Sequence, residues 1–254
     1  MSKIGVFDSG LGGFSIAKAI HQQYPKQDIV FLADQINVPY GNKDVNSLEH
    51  IVYNNLRWFY DQGVKDIILA CNTTSVLSLK RITDEFKDIN ITRIIKLTVD
   101  QLASDMPSEI IVLATKVTIQ AHAYSQAIKN VNPNVIVHEI AMPNLAQLIE
   151  DLADEKKVYQ DFDIYLSNFK GKAIPFLMGC THYPLVETQL KEYLAAKAYD
   201  SIKPILAMNQ LYTTGDGIFE CYTTDQPHKF DLKVKQLFKQ TINSKHANID
   251  DDAC

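Results

Sequence analysis

Short apolar runs alternate with amphipathic segments along this chain. Continuous apolar runs at residues 4–7, 29–33, 67–70, 110–113, 135–137, 174–178 and 205–207 predict strands. Between them, apolar residues recur at helical spacing, as they do from Asp44 to Gln62 before the stop at Gly63. Apolar strands that alternate with helices are typical of a parallel sheet covered on both faces, so the pattern predicts an α/β protein. The polar tail, residues 243–254, is expected to fray.

Two of the predicted strands end in the same way. Residues 67–73 read Ile-Ile-Leu-Ala-Cys-Asn-Thr, and residues 176–182 read Phe-Leu-Met-Gly-Cys-Thr-His. Cys71 and Cys180 are separated by the length of one small α/β unit. Parallel sheets place their chemistry at the carboxyl ends of the strands. Two similar half-chains that face each other would therefore bring two thiols to one cleft.

A cysteine after an apolar run is often only a small buried hydrophobe, and that interpretation suits Cys221 and Cys254. Cys71 and Cys180 differ because polar residues and a predicted helix start follow each of them. The N–H groups at a helix start stabilise a thiolate, which is the reactive form of the side chain. We therefore expect Cys71 and Cys180 to ionise more easily than an ordinary thiol. His182, two residues after Cys180, is a plausible acid–base partner if a loop brings the two side chains together.

Several other classes of protein fit the sequence poorly. The chain has 254 residues and a formal charge of −5, so it has no positive electrostatic potential to hold nucleic acid. It also contains no apolar run of membrane-spanning length. Its apolar start breaks at Asp8, too early for a signal-peptide core. The four cysteines form no CxxC pair, so zinc is not expected. The glycine turn at 10–13 has Ser15 where a dinucleotide fingerprint needs glycine.

Four sequence blocks together resemble the signature blocks of the glutamate racemase family. They are Phe-Asp-Ser-Gly-Leu-Gly-Gly at 7–13, Val-Pro-Tyr-Gly at 38–41, Ala-Cys-Asn-Thr-Thr-Ser at 70–75 and Gly-Cys-Thr-His-Tyr-Pro-Leu at 179–185. They stand in the family's order, and the similarity covers nearly the whole chain. The related aspartate racemases usually carry glutamate at the position of His182 and lack a block like 39–41. The resemblance therefore favours glutamate as the substrate.

The resemblance implies a cofactor-independent enzyme that interconverts L- and D-glutamate and supplies D-glutamate for peptidoglycan. It implies two similar parallel-sheet α/β domains with the active site in the cleft between them. The first domain would hold residues 1–95 and 206–254, and the second residues 96–205. A cytoplasmic homodimer is expected, with no metal, no nucleic acid and no membrane among its partners.

The resemblance also implies the roles of individual residues. Cys71 would remove the Cα proton of D-glutamate and Cys180 that of L-glutamate. Asp8, His182 and Glu150 would assist the two thiols. The residues expected to bind substrate are Asp8, Ser9, Tyr40, Gly41, Asn72, Thr73, Thr118, Thr181 and His182. Thr118 has an alternative role as a helix N-cap. Ala121, Met142 and the segment 95–99 depart from the family's common pattern, which leaves the lining of the second domain open.

Two rival interpretations remain open from the sequence. A binding or regulatory protein could use the same cleft without catalysis. A thiol oxidoreductase would need Cys71 and Cys180 close enough to form a disulfide. A Cys–His hydrolase built on Cys180 and His182 is a weaker alternative, because it would leave Cys71 without a role.

Overall fold

The structure is a computed structural model that describes residues 3–208 and 215–249. Its strands are β1 (Ile4–Asp8), β2 (Ile29–Ala33), β3 (Asp66–Leu69), β4 (Asn90–Arg93), β5 (Glu109–Ala114), β6 (Ile136–Ala141), β7 (Phe176–Gly179), β8 (Ala198–Tyr199), β9 (Phe219–Thr223) and β10 (Lys245–His246). Its α-helices are α1 (Gly12–Gln23), α2 (Val45–Asp61), α3 (Lys80–Glu85), α4 (Ile94–Leu102), α5 (Lys116–Gln120), α6 (Ala123–Val131), α7 (Leu145–Glu150), α8 (Glu155–Leu166), α9 (Glu187–Leu194), α10 (Ile202–Leu206) and α11 (Pro227–Phe238).

The strands form two parallel sheets with the same central topology. The first sheet has the order β10-β9-β2-β1-β3-β4, and the second has the order β6-β5-β7-β8. The run β2-β1-β3-β4 in the first sheet corresponds to β6-β5-β7-β8 in the second. Cys71 follows β3 and Cys180 follows β7, so the two cysteines occupy equivalent places. This topology confirms the predicted pair of similar parallel-sheet α/β domains.

Each sheet is covered on both faces, as the continuous apolar strands predict. In the first sheet, Phe7 and Leu69 pack with α2 on one face, whereas Val6 and Ile68 pack with α1 and α11 on the other. In the second sheet, α8 and α9 cover one face, and α4 and α6 cover the other. Alternate side chains of a strand point to opposite faces, so burial of both faces favours apolar residues at successive strand positions.

The sequence prediction fails at the chain's periphery. Residues 205–207 do not form a strand, because Ile205 lies in the short helix α10. The predicted frayed tail is also partly wrong: residues 245–246 pair with β9, and Ala247 is buried. Strands β4, β8, β9 and β10 were missed because they are short or mix polar with apolar residues. Residues 250–254 of the tail lie outside the described residues. Within the described ranges, no helix is long and apolar enough to cross a bilayer.

Glycines at the start of α1 let the two domains and the first strand approach closely. A Cβ atom on Gly12 would lie 2.5 Å from the Thr181 carbonyl carbon, which belongs to the second domain. A Cβ atom on Gly13 would lie 2.2 Å from the Asp8 Cβ. Glycine is needed at both positions because no other residue leaves room for these neighbours.

We predict that Gly13→Ala lowers the free energy of unfolding by about 3 kcal/mol, since the added methyl group overpacks a buried contact with Asp8. Urea denaturation followed by far-UV circular dichroism measures the change. Gln22→Ala, at an exposed position of the same helix, is the control and should have little effect. A Gly13→Ala protein as stable as the unmodified chain would contradict the close packing described here.

Candidate active site

The carboxyl ends of β1, β3, β5 and β7 meet in one cavity between the two sheets. The cavity contains about 440 Å³ of space not filled by atoms, including the part open to solvent. Both cysteines line it, and both are buried free thiols. The other lining residues are Ser9, Val38, Pro39, Tyr40, Gly41, Asn72, Thr73, Thr115, Met142, Pro143, Ala146, Glu150 and His182.

Cys71 lies on the side of the cavity formed by the first domain. Its thiol donates a hydrogen bond to Ser9 Oγ, with the two atoms 3.7 Å apart. Burial raises the pKa of Cys71 to about 12, and the negative charge of Asp8 adds to the increase. The expectation that Cys71 ionises more easily than usual is therefore wrong for this structure. Only a three-residue 3₁₀ turn, Thr74–Val76, follows the cysteine, so the predicted helix is missing.

Cys180 lies on the side formed by the second domain and has a different set of partners. Its sulfur is 3.7 Å from His182 Nδ1, and His182 Nε2 is 2.7 Å from Glu150 Oε1. Burial alone would lower the pKa of His182, but hydrogen bonds to Cys180 and Glu150 raise it well above its usual value. The loop after β7 thus places His182 beside the sulfur, as a Cys–His partnership requires.

Glu150 is a buried carboxylate at the end of α7. Burial alone would raise its pKa, but His182, the Leu11 N–H and Lys233 together lower it. Leu11 N donates to Glu150 Oε1 at 2.6 Å, so this contact joins the second domain to the glycine turn of the first. A charged carboxylate and a charged imidazole stabilise each other where little water reaches them.

Asp8 lies at the carboxyl end of β1, is fully buried and does not line the cavity itself. Its carboxylate accepts hydrogen bonds from Gly10 N at 3.0 Å and from Thr181 Oγ1 at 3.0 Å. Burial raises the pKa of Asp8 to about 6, although the positive charge of His182 opposes the increase. Thr181 is likewise absent from the cavity lining and connects the second domain to Asp8.

A chain of three threonine hydroxyls crosses between the domains. Thr73 Oγ1 is 2.9 Å from Thr115 Oγ1, which is 3.0 Å from Thr118 Oγ1. Thr115, not Thr118, is the N-cap of α5, and its side chain accepts a hydrogen bond from Thr118 N. The N-cap alternative for Thr118 is therefore wrong. Thr118 does not line the cavity and reaches it only through Thr115.

Two further side chains hold the cavity wall in place. Tyr40 OH donates to the buried carboxylate of Asp34, which also accepts from Thr224 Oγ1 at 2.7 Å. Tyr124 OH, from the second domain, donates to Asn72 Oδ1. Among the described side chains, Asn72 Nδ2 is one of the few buried polar atoms without a hydrogen-bond partner. Asn72 therefore presents an available N–H donor where it lines the cavity.

The structure brings together most of the residues singled out from the sequence. Those that line the cavity are Ser9, Tyr40, Gly41, Cys71, Asn72, Thr73, Glu150, Cys180 and His182. Asp8, Thr118 and Thr181 stand directly behind this lining. The sequence analysis missed Thr115, although its place after the apolar run 110–113 was a usable signal. It also missed Tyr124, which donates to Asn72, and Gln35 and Lys233, which approach the Glu150 carboxylate. No local signal in the sequence points to these three residues.

The remaining sequence expectations have simple outcomes. Cys221 is buried in the core of the first domain, as its structural interpretation predicts, and Cys254 lies outside the described residues. Of the positions that depart from the family pattern, Met142 is fully buried and lines the cavity, whereas Ala121 is exposed at the end of α5. Residues 95–99 lie within α4.

Asp8 gives a prediction about stability and pH. Its pKa is higher in the folded chain than the ordinary value of 3.8, so the folded state holds the proton more tightly. This contribution to stability is present at low pH and is lost as the pH rises through about 6. The asparagine of Asp8→Asn cannot ionise. Between pH 4 and pH 7, the free energy of unfolding of the unmodified chain should therefore fall by up to about 3 kcal/mol relative to that of Asp8→Asn.

Denaturation at a series of pH values measures this difference between the two proteins. Gln22→Ala, an exposed substitution that involves no titratable side chain, is the control, and its difference from the unmodified chain should not change with pH. A difference for Asp8→Asn that stays constant, or that shrinks as the pH rises, would contradict the buried environment of this carboxyl.

Comparison with known proteins identifies the family. The model of the Asp/Glu/hydantoin racemase family matches residues 14–208. The chain is 30% identical to the glutamate racemase of Lactobacillus helveticus and 31% identical to that of Aquifex aeolicus, over 96% of both chains in each case. The structure also resembles the crystal structure of Francisella tularensis glutamate racemase in complex with D-glutamate, with a TM-score of 0.86. The two sequences are 30% identical, and the superposition covers 99% of this chain and 98% of that one. The chain belongs to the Asp/Glu/hydantoin racemase family.

Proposed function

We propose that this protein is a glutamate racemase that inverts the Cα of free glutamate with two cysteines and no cofactor. The observation that carries the proposal is that Cys71 and Cys180 line one cavity from opposite domains. Racemisation removes a proton from one face of Cα and delivers another to the opposite face. Two sulfur groups on opposite sides of a substrate can do this without either side chain crossing it.

In the direction from L- to D-glutamate, the thiolate of Cys180 takes the Cα proton and becomes a thiol. The electron pair left on Cα then takes the proton of the Cys71 thiol from the opposite face, which leaves Cys71 as a thiolate. The reverse direction exchanges the two roles. The raised pKa of Cys71 suits the first direction, because a thiol that keeps its proton near neutral pH is ready to donate it.

Each thiol has its own assisting groups. An imidazolium at His182, held by Glu150, can balance the charge of a thiolate at Cys180, since His182 Nδ1 is 3.7 Å from the sulfur. Asp8 carries a pKa of about 6 and stands near Cys71, where it assists proton transfer on that side. We assign these three residues as the supports of the two catalytic cysteines.

The substrate's two carboxylates need hydrogen-bond donors. Asn72 Nδ2 supplies an unused buried N–H, and the hydroxyl-bearing residues Ser9 and Thr73 line the same cavity. Tyr40 also lines the cavity, while its hydroxyl donates to Asp34. Glycine at position 41 lets the backbone of the first domain pack closely against Thr115, because a Cβ atom on Gly41 would lie 2.5 Å from Thr115 Cβ. We assign Thr181 and Thr118 to the support of this binding surface, through Asp8 and Thr115 respectively.

Wider expectations accompany this proposal. We propose domain limits of 1–95 plus 206–254 and of 96–205, in keeping with strands β1–β4, β9 and β10 in one sheet and β5–β8 in the other. A role in supplying D-glutamate for peptidoglycan, a cytoplasmic location and a homodimer follow from the likeness to glutamate racemases. These points remain predictions.

We predict that Cys71→Ala or Cys180→Ala lowers racemisation by at least about a thousandfold in both directions, because each direction uses both sulfurs. Circular dichroism of L- and D-glutamate solutions measures the rates. Cys221→Ala, a buried cysteine outside the cavity, is the control and should keep the activity of the unmodified protein. Near-normal turnover in either active-site variant would disprove the mechanism.

The serine variants separate the two half-reactions. The Cys71→Ser protein keeps Cys180 and should still exchange the Cα proton of L-glutamate with solvent. The Cys180→Ser protein keeps Cys71 and should still exchange the Cα proton of D-glutamate. Nuclear magnetic resonance in D₂O follows the loss of the Cα proton. If Cys71→Ser exchanged only D-glutamate and Cys180→Ser only L-glutamate, the assignment of each cysteine to one enantiomer would be wrong.

The substrate is tested by comparing L-glutamate and L-aspartate under the same conditions. We expect faster inversion of glutamate, because the block Pro39–Gly41 lines the cavity and His182 stands beside Cys180. Both features distinguish the glutamate racemases from their aspartate relatives. Faster inversion of aspartate would place the protein with the aspartate-specific group.

A further inference from the structure

The carboxylate of Glu150 is held mainly by the opposite domain. Glu150 ends α7 in the second domain and is 1% exposed. Leu11 N, Gln35 Nε2 and Lys233 Nζ all approach it from the first domain, at 2.6, 3.2 and 3.5 Å respectively. His182 is its partner within the second domain. Three of these four donors therefore depend on how the two domains meet.

The two oxygens of this carboxylate have different tasks. Oε1 faces Leu11 N and His182 Nε2, whereas Lys233 Nζ approaches Oε2. Gln35 Nε2 lies 3.2 Å from Oε1 and 3.3 Å from Oε2, so it spans both. Lys233 and Gln35 thus restrict rotation of the carboxylate group. A fixed Oε1 in turn fixes the orientation of the His182 ring, whose other nitrogen faces Cys180.

Neither Lys233 nor Gln35 lines the cavity that holds the two cysteines. Lys233 stands on α11, in the part of the chain that returns to the first domain, and its side chain is 30% exposed. Gln35 stands in a short 3₁₀ segment after β2. Their side-chain hydrogen bonds and ion pair with the site are those with Glu150.

Among the described residues, the thiol on the other side is connected to Lys233 and Gln35 only indirectly, through the charge of His182 acting on Asp8. Cys71 is bonded to Ser9 and is influenced by Asp8, both of the first domain. A change at Lys233 should consequently alter proton transfer at Cys180 more than at Cys71. This asymmetry separates a positioning role from a general contribution to domain closure.

We propose that Lys233 and Gln35 are positioning residues, supplied by the first domain, that orient Glu150 so that His182 supports proton transfer at Cys180. The proposal rests on the proposed two-cysteine glutamate racemase. It makes the Cys180 half of the site depend directly on Lys233 and Gln35, whereas the Cys71 half has no direct contact with these two residues.

The experiment is the isotope effect of Cα-deuterated glutamate on kcat/KM, measured from each enantiomer with Lys233→Met. A partly exposed ion pair is worth about 1 kcal/mol, so kcat/KM should fall about fivefold. Proton transfer at Cys180 then limits the rate more strongly. The isotope effect should therefore increase with deuterated L-glutamate and decrease with deuterated D-glutamate. Gln35→Ala should shift both effects in the same directions.

Two controls accompany these variants. Lys233→Arg keeps the positive charge and should restore the isotope effects of the unmodified protein. Lys229→Met removes an exposed lysine from the same helix and should leave them unchanged. Unchanged isotope effects in both Lys233→Met and Gln35→Ala would overturn the proposal, as would isotope effects that move in the same direction with both enantiomers. Failure of the unmodified protein to racemise glutamate would instead overturn the proposed function.

Discussion

The structure depends on the need to pair two carboxylates buried where the domains meet. An unpaired buried charge is costly, so Asp8 and Glu150 require donors at close range. Part of each donor set comes from the opposite domain: Thr181 bonds to Asp8, and Leu11 bonds to Glu150. These contacts require the carboxyl ends of the two sheets to face each other. The same arrangement sets Cys71 and Cys180 on opposite walls of one cavity.

The two domains share a topology but give their cysteines different surroundings. Cys71 is bonded to a serine hydroxyl near a carboxyl group, and burial keeps its proton bound. Cys180 is beside an imidazole that a carboxylate holds in place. The cavity proposed to bind two mirror-image substrates is therefore built from two unlike halves. Burial raises the pKa of Cys71 to about 12, which suits its proposed role as the proton donor when the substrate is L-glutamate.

The sequence predicts what is local or repeated, and it fails where distant parts of the chain decide the outcome. The apolar runs at β1, β2, β3, β5 and β7 are readable because strands buried on both faces are mostly apolar. Only the first residues of β6 belong to an apolar run, since this edge strand continues with His138 and Glu139. The matching cysteine blocks reveal the pair of similar domains. Strand β9, next to the short edge strand β10, carries mixed side chains and gives no such pattern. Lys233 lies far along the chain from Glu150, so no local spacing could relate them. The pKa of Cys71 depends on burial by the folded chain, which the helix-start argument could not include.

The central claim is that two sulfur atoms act on opposite faces of one carbon, and early labelling from solvent tests it most directly. Each glutamate enantiomer is incubated with the purified protein in D₂O, and both enantiomers are analysed by mass spectrometry before a tenth of the substrate has reacted. The account predicts that the product enantiomer carries deuterium at Cα in both directions, while the remaining substrate still carries protium. Product that keeps the substrate's own Cα proton would show that a single group moves the proton across, and it would contradict the account.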